Sequence, residues 1–335
     1  MILVTGGTGL VGSHLLYQLT QESNNIRATY REKSSLEKVK KVFSYYSKEP
    51  SYFDKIEWIQ ADITKVPDMI LAFKDVEYVY HCAAFISFDA KDYVEMRKVN
   101  IHGTAIIVNL SIDVKIKKLC FVSSIAAVGD NIKGGFIDEE CEWNKEADNS
   151  GYSITKFGAE MEIWRASQEE IDVIIVNPGV ILGPGFWKSG SGQLFTRVSE
   201  GFKFYTEGVT GFVDVNDVVQ SMIQLMHSKK RNERYILVSE NKSFKEIFFM
   251  ISDALKTKRP SIKIKPWQSS IFWRLAAFLS KITGKKPFLS KHSAKSSHSI
   301  SKYSSKKITD STKFEFLPIK ESIEKTSKLF IQDLA

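Results

Sequence analysis

Ile2-Leu3-Val4 is an apolar run of strand length that passes directly into Thr5-Gly6-Gly7-Thr8-Gly9-Leu10-Val11-Gly12, and a helical segment opening with Ser13-His14-Leu15-Leu16 follows at once. Glycine is needed where a turn takes positive φ, where backbone closely approaches a bound group, and where a helix packs against a strand. The N-terminus of the following helix offers free N–H groups and the positive end of its dipole, a seat for phosphate. A glycine triplet alone fits an ordinary turn. Placed between an apolar strand and an amphipathic helix at the first residues of the chain, it points to a dinucleotide pyrophosphate.

Further strand-length apolar runs occur at Ile26-Tyr30, Ile56-Ala61, Tyr78-Cys82, Leu119-Ser123 and Val173-Asn177, with helically spaced segments such as Leu10 to Gln21 and Tyr93 to Ile112 between them. Such alternation implies right-handed crossovers and a parallel sheet covered on both faces. The expected class is α/β, a doubly wound Rossmann domain with a smaller, mainly helical C-terminal substrate domain. After Pro178 the alternation breaks into a Gly-rich loop over Gly179 to Gly192, a short strand near Phe212-Val213, a helix from Val215 and a strand at Tyr235-Val238. The division expected is a nucleotide-binding domain over 1–180 plus 209–240, and a substrate-binding region over 181–208 and 241–335. A chain of 335 residues suits that arrangement.

Because Ile2-Leu3-Val4 already begins a buried strand, no signal or transit peptide is expected, and the cytoplasm is the expected location. No apolar stretch approaches the roughly 20 residues that cross a bilayer. Cys82 and Cys120 lie in apolar runs and, with Cys141, make an odd set, so disulfides are not expected. The net charge of +8 is unevenly spread: no Asp or Glu occurs between Asp253 and Asp310, where fourteen Lys and Arg do. That block is read as a solvated part of the substrate domain, with phosphate, nucleic acid or a membrane surface as lesser readings. No nucleic-acid partner is expected. Ile271-Phe272-Trp273-Arg274-Leu275-Ala276-Ala277-Phe278-Leu279 is too short to span a membrane and reads as a lid or packing helix, peripheral membrane contact being the less expected alternative.

The spacing Gly6-x-x-Gly9-x-x-Gly12 resembles that of the extended short-chain dehydrogenase/reductases, the NAD-dependent epimerase/dehydratase-like proteins, and further motifs of that superfamily follow in order over nearly the whole chain. Asp62-Ile63 resembles its adenine contact, His81-Cys82-Ala83-Ala84 the loop passing under the cofactor, and Asn100-x-x-Gly103-Thr104 the helix beyond it. The resemblance implies a cofactor site made of Gly6, Thr8, Gly9, Leu10, Val11, Gly12, Arg31, Lys38, Asp62, Ile63, Ala83, Ala84, Asn100, Tyr152, Lys156, Pro178 and Ile181. Taken singly, Asp62 is also readable as a helix cap and Asn100 as a buried hydrogen-bonding residue.

NAD-specific sites usually end the second strand with Asp or Glu, which accepts from the ribose hydroxyls and repels a 2′-phosphate. Here the position reads Thr29-Tyr30-Arg31, and Arg31 with Lys38 resembles the pattern of dihydroflavonol reductases; Lys33 adds charge. A guanidinium fork suits a phosphate, so NADP is expected over NAD.

Tyr152-Ser153-Ile154-Thr155-Lys156 opens a helix, and its i, i+4 spacing sets both functional groups on one face. A phenol with pKa near 10 needs about 4 kcal/mol of preferential phenolate stabilisation to work near neutrality, which a cation such as Lys156 contributes to. In Phe121-Val122-Ser123-Ser124-Ile125-Ala126-Ala127-Val128-Gly129, the superfamily's catalytic hydroxyl lies five residues before the glycine, which selects Ser124. The resemblance thus implies a Ser124, Tyr152, Lys156 triad and no metal. Ile125-Ala126 stands where dehydratases carry Asp-Glu, and Asn177-Pro178-Gly179-Val180-Ile181-Leu182-Gly183-Pro184 resembles dihydroflavonol reductases, cinnamoyl-CoA reductases and hydroxysteroid dehydrogenases. These act on fairly apolar carbonyl compounds. Phe186, Trp187, Phe195, Phe202, Phe204 and Tyr205 are the candidate aromatic pocket, or else the core of the small domain. The expected function is reduction of such a carbonyl, or oxidation of its alcohol, on a small-molecule substrate. The alternatives are a nucleotide-sugar epimerase-type enzyme and a non-catalytic NADP-binding sensor. A homodimer is expected through the helices near Tyr93 to Ile112 and Tyr152 to Gln168, with Ile106, Ile107, Ile163 and Trp164 facing the partner.

Overall fold

The computed structural model describes residues 1–49, 51–131, 134–283 and 290–334. Its strands are β1 Ile2–Thr5, β2 Ile26–Tyr30, β3 Ile56–Gln60, β4 Tyr78–His81, β5 Lys118–Val122, β6 Asp172–Pro178, β7 Val180–Leu182, β8 Phe204–Tyr205, β9 Val209–Asp214, β10 Glu233–Leu237, β11 Glu240–Ser243 and β12 Ile262–Lys263. Seven form one sheet in the order β10-β6-β5-β4-β1-β2-β3, with every neighbouring pair parallel. The chain runs outward from β1 through β2 and β3, then resumes on the other side of β1 with β4. Strand order therefore reverses between β1 and β4, and a crevice opens there at the C-terminal ends.

All of β5 is buried, as helices on both faces require. One face packs Val4, Tyr80, Cys120 and Ile174 against Leu15 and Leu16 of the helix Leu10–Glu22 and Val218 and Met222 of the helix Val215–His227. The alternate residues Leu3, Val79, Leu119 and Ile175 face the helices Gly103–Asp113 and Gly151–Ser167. Ile107 and Ile163 belong to this second core at 0% exposure, so they are not partner-facing residues; Ile106 and Trp164 are half-buried against the same core. The correction has a simple cause: the two helices pack on the sheet and on each other within one chain. Two strand cations cap helices from below. Lys118 donates to the carbonyls of Leu225 (2.8 Å) and Ser228 (2.9 Å), and Arg27 to that of Ala72 (3.0 Å), at helix C-termini where positive charge is favoured.

The smaller region is built on the sheet β11-β9-β7 with the helices Gly192–Ser199, Phe244–Ala254 and Ile319–Leu334. Phe195, Phe212, Ile247 and Phe330 form its core, and Trp187, Phe202 and Tyr205 pack against it. These aromatics thus take the core role, while Phe204 is 41% exposed. The last helix is tied back to the first domain through Asp333, which pairs with Lys41 (2.7 Å) and accepts from Trp187 (2.8 Å) and from Tyr45. Cys82, Cys120 and Cys141 are free. Among the described residues no helix is long and apolar enough to cross a membrane.

Burial pushes the Asp217 carboxyl up to about 7, against the Leu317 N–H that favours its ionised form; the nearby Asp214 charge adds to the rise. A carboxyl with a raised folded pKa contributes stability that is lost as pH rises from its unfolded value toward 7. Asp217→Asn keeps an acceptor for Leu317, so the variant should exceed wild type in stability by on the order of 1 kcal/mol at about pH 8 and lose that advantage near pH 4. Urea unfolding of both proteins at the two pH values checks this; a difference independent of pH would contradict it.

Candidate active site

The crevice between β1 and β4 has a volume of about 360 Å³ and is walled by Gly6, Thr8 and Gly9 after β1, Arg31 and Lys38 after β2, Asp62 and Ile63 after β3, and Ala83 and Ala84 after β4. Gly6 has φ +69°, and a Cβ there would lie 2.5 Å from the backbone nitrogen of Ala83. A Cβ on Gly12 would lie 2.2 Å from the Gly6 carbonyl oxygen. The loop is thus closed down on itself by backbone contacts only glycine permits. Gly9 caps the helix Leu10–Glu22 without a side-chain hydrogen bond, and no carboxylate stands in the first turn, so the N–H groups of Leu10, Val11 and Gly12 are available to an anion. These features fit a dinucleotide.

Asp62 turns inward on its own loop. Burial works against its ionisation, but the N–H and hydroxyl of Thr64 (2.9 and 2.8 Å) and the Arg31 charge hold its carboxyl below the usual range. Leu10, Val11, Gly12, Asn100, Tyr152, Lys156, Pro178 and Ile181 lie outside this lining. Asn100 is buried, accepting from the Phe85 N–H (2.7 Å) and donating to the Phe85 carbonyl and the Thr155 hydroxyl (3.0 Å each). It thereby braces the loop after β4. Cys82, expected in the loop passing under the cofactor, lines the crevice too, as do Thr29, Tyr30, Glu32, Ser35, Ala61, Phe85 and Val99, which sequence reasoning did not name as binding residues. The available signals were adjacency to Arg31 for Tyr30 and Glu32, to Asn100 for Val99, and a place between Arg31 and Lys38 for Ser35.

At the neighbouring edge, Ser124 follows β5 in extended conformation, and its hydroxyl oxygen accepts from the Ala126 N–H (3.1 Å). The hydroxyl proton remains free to donate. The helix Gly151–Ser167 starts at the Ser150 cap, which places Tyr152 in its first turn, half-buried and facing the Ser124 hydroxyl. The Tyr152 ring meets Phe88 edge-on at 5.6 Å. Lys156 is buried, donates to the Val122 carbonyl (2.8 Å) and lies 4.3 Å from the centre of the Phe121 ring. Burial brings its ammonium down to about 8, opposed by the Glu160 charge. The phenol of Tyr152 is raised by burial, with the Ser124 hydroxyl the opposing influence. This differs from the lowering expected of Lys156, because the ammonium is engaged by Val122 and Phe121 instead.

Behind the serine stands a buried network that the sequence reading missed. Glu160 accepts from the Ser123 hydroxyl and from the Asn177 amide (2.5 Å), and the same amide donates to the Ser124 carbonyl (2.9 Å). Arg234 comes within 3.7 Å of its other carboxylate oxygen. The one available signal was the spacing of Glu160 four residues beyond Lys156. His81, with its ring nitrogens at the hydroxyls of Thr5 (2.6 Å) and Thr104 (2.9 Å), is lowered to about 3 by burial and is neutral, a strut rather than a proton carrier. Among the described residues no group of three or more His, Cys, Asp or Glu converges to hold a metal.

Gly12→Ala should weaken NAD(P)H binding by about tenfold or more in a fluorescence titration, since the added carbon must displace the Gly6 carbonyl. Unchanged affinity would show that the loop is not the cofactor's seat.

Residues 2–237 match the model of the NAD dependent epimerase/dehydratase family. The chain is 27% identical over 270 residues to a putative dihydroflavonol 4-reductase of Synechocystis, covering 79% of this chain and 75% of that one. It is 25% identical over 300 residues to a UDP-glucose 4-epimerase of Vibrio cholerae, covering 84% and 85%. The crystal structure of gox2253 superposes with a TM-score of 0.81 at 24% identity, over 99% of this chain and 98% of that one. With its reversing parallel sheet, glycine-closed phosphate loop and Ser-Tyr-Lys edge, the chain belongs to the NAD-dependent epimerase/dehydratase family, the extended short-chain dehydrogenase/reductases, whose members are NAD(P)-dependent enzymes.

Proposed function

We propose that the protein is an NADP-dependent oxidoreductase that reduces the carbonyl, or oxidises the alcohol, of a small, fairly apolar molecule, with Tyr152 as general acid/base. The observation that carries this reading is the Tyr152 phenol set against the Ser124 hydroxyl beside an apolar wall. Phe88, in edge contact with Tyr152, is 50% exposed, and Ile86 on the same loop is 59% exposed. Exposed apolar side chains beside a catalytic hydroxyl pair suit an apolar substrate better than a sugar ring. The bound nicotinamide supplies or accepts the hydride. Ser124 donates to the substrate oxygen as charge gathers there, and Tyr152 delivers the proton to it in the reductive direction. Lys156, held at the Val122 carbonyl, is cationic at neutral pH and lies one helical turn beyond Tyr152 on the same face. Residues 1–180 with 209–240 hold the cofactor in this reading, and the remainder shapes the substrate side.

For the cofactor, Arg31 and Lys38 share the crevice rim with Ser35, a set of donors suited to a 2′-phosphate. Glu32 also stands there and acts against it, but it follows Arg31 and lies beyond the end of β2, the usual place of an NAD-selecting carboxylate. Arg31→Asp should therefore weaken NADPH binding by at least about tenfold more than NADH binding; equal losses would contradict the preference.

Tyr152→Phe removes one oxygen and leaves the ring against Phe88, so NADPH affinity and folding should persist while turnover of a carbonyl substrate falls by about 10²-fold or more. Ser124→Ala should cost less. Screening apolar carbonyl compounds by NADPH oxidation supplies the substrate for this comparison. Full turnover by Tyr152→Phe would overturn the mechanism, and sugar isomerisation without net NADPH consumption would favour the epimerase reading.

A further inference from the structure

The helix Pro266–Thr283 packs inside out. Its inward positions are small or hydroxylated: Ser269 is 4% exposed and Ala276 is 2%. Trp267 (59%), Ile271 (47%), Phe272 (39%), Leu275 (52%) and Phe278 (61%) point to solvent. At about 100° per residue these five fall within an arc of roughly 140°. A surface helix of a globular domain has the opposite arrangement, apolar inward and polar outward. The segment expected to be a lid or packing helix therefore does not bury the side chains that made it apolar. Just upstream, the β8–β12 pair sets Ile262 opposite Phe204, and both are likewise exposed.

The charge around this face selects what covers it. Between Asp253 and Asp310 there are fourteen Lys and Arg and no acidic residue. Among the described residues, four of these cations are paired to carboxylates outside the segment: Arg259 with Asp253, Lys263 with Glu207, Lys295 with Asp148 and Lys307 with Glu233. Lys265, just before the helix, and Arg274, on the edge of its apolar arc, are exposed. A second copy seated on the same face by two-fold symmetry would bring one basic segment against another. An anionic bilayer surface satisfies both features, taking the apolar side chains below its headgroups and the cations at them.

We propose that the outward face of the helix Pro266–Thr283, rimmed by Lys265 and Arg274, docks the protein on an anionic phospholipid surface. The contact is peripheral. The docked helix is joined to the reacting edge, because Ser269 bonds to His298 (2.8 Å) and Lys295, just before it, pairs with Asp148 (3.0 Å) ahead of the Ser150 cap of the Tyr152 helix. The proposal does not depend on which reaction that edge performs.

The full chain should co-sediment with vesicles of equimolar phosphatidylcholine and phosphatidylglycerol, much less with phosphatidylcholine alone, and less again as salt is raised. Ile271→Glu with Phe278→Glu should reduce the bound fraction at least about tenfold, while NADPH affinity and the thermal midpoint stay those of wild type, since both positions are exposed. Lys265→Glu with Arg274→Glu, which leaves the apolar face whole, should abolish the preference for the anionic vesicles. No binding of the wild type to either vesicle would overturn the proposal, as would equal binding to both or retention by the apolar-face variant. A wild-type dimer that the apolar-face variant converts to monomer, without vesicle binding, would reassign the face to contact between copies. Loss of thermal stability in that variant would return the helix to an ordinary packing role.

Discussion

Glu160 stands where the helix Gly151–Ser167 meets the ends of β5 and β6, wholly removed from water. Taking a carboxylate into a protein interior costs several kcal/mol, offset only by charged partners and hydrogen bonds of good geometry. Burial accordingly raises its pKa, and Ser123, Asn177, Arg234 and Lys156 act in the opposite direction. Those partners come from different places: Ser123 follows β5, Asn177 is on β6, Arg234 is on β10, and Lys156 is one turn earlier on the same helix. Any slip of the helix along the sheet breaks several of these bonds together. Tyr152 and Lys156, at the same helical spacing on the same face, inherit that register. The Asn177 amide extends the constraint to the Ser124 backbone, so the hydroxyl and the phenol are held by one network.

The other constraint is closeness of backbone. At Gly6 and Gly12 the loop after β1, the start of the following helix and the loop after β4 approach within distances that leave no room for a Cβ. This draws the helix N-terminus, with its free N–H groups, over the reversal point of the sheet and beside the Ser-Tyr edge. His81 and Asn100 hold the loop after β4 from beneath through neutral hydrogen bonds. A neutral imidazole suits that place, since a charged one would stand close to the Lys156 ammonium.

The smaller region serves the large one unevenly. Its aromatic side chains mostly fill its own core, and Asp333 and Asp217 fasten the C-terminal segment to the first domain. The helix Pro266–Thr283 makes the exception, with its serine and alanine positions turned inward and its large side chains outward. The apolar material that lies beside the Ser124 and Tyr152 hydroxyls comes instead from the loop after β4, through Phe88 and Ile86.

What the sequence by itself determined is the part written in short-range pattern. The six leading strands of the sheet, the glycine loop and the face shared by Tyr152 and Lys156 all follow from local periodicity and glycine spacing. The short strands β7, β8, β11 and β12 did not emerge, because two to four residues are too few to show a period. Tertiary structure alone decided that Ile107 and Ile163 are core, that Lys156 faces Val122 and Phe121, that Glu160 backs the serine, and that the apolar side of Pro266–Thr283 looks outward. Periodicity reports that a helix has an apolar face, but which way that face turns is settled by what lies beneath it, and those neighbours come from distant segments of the chain.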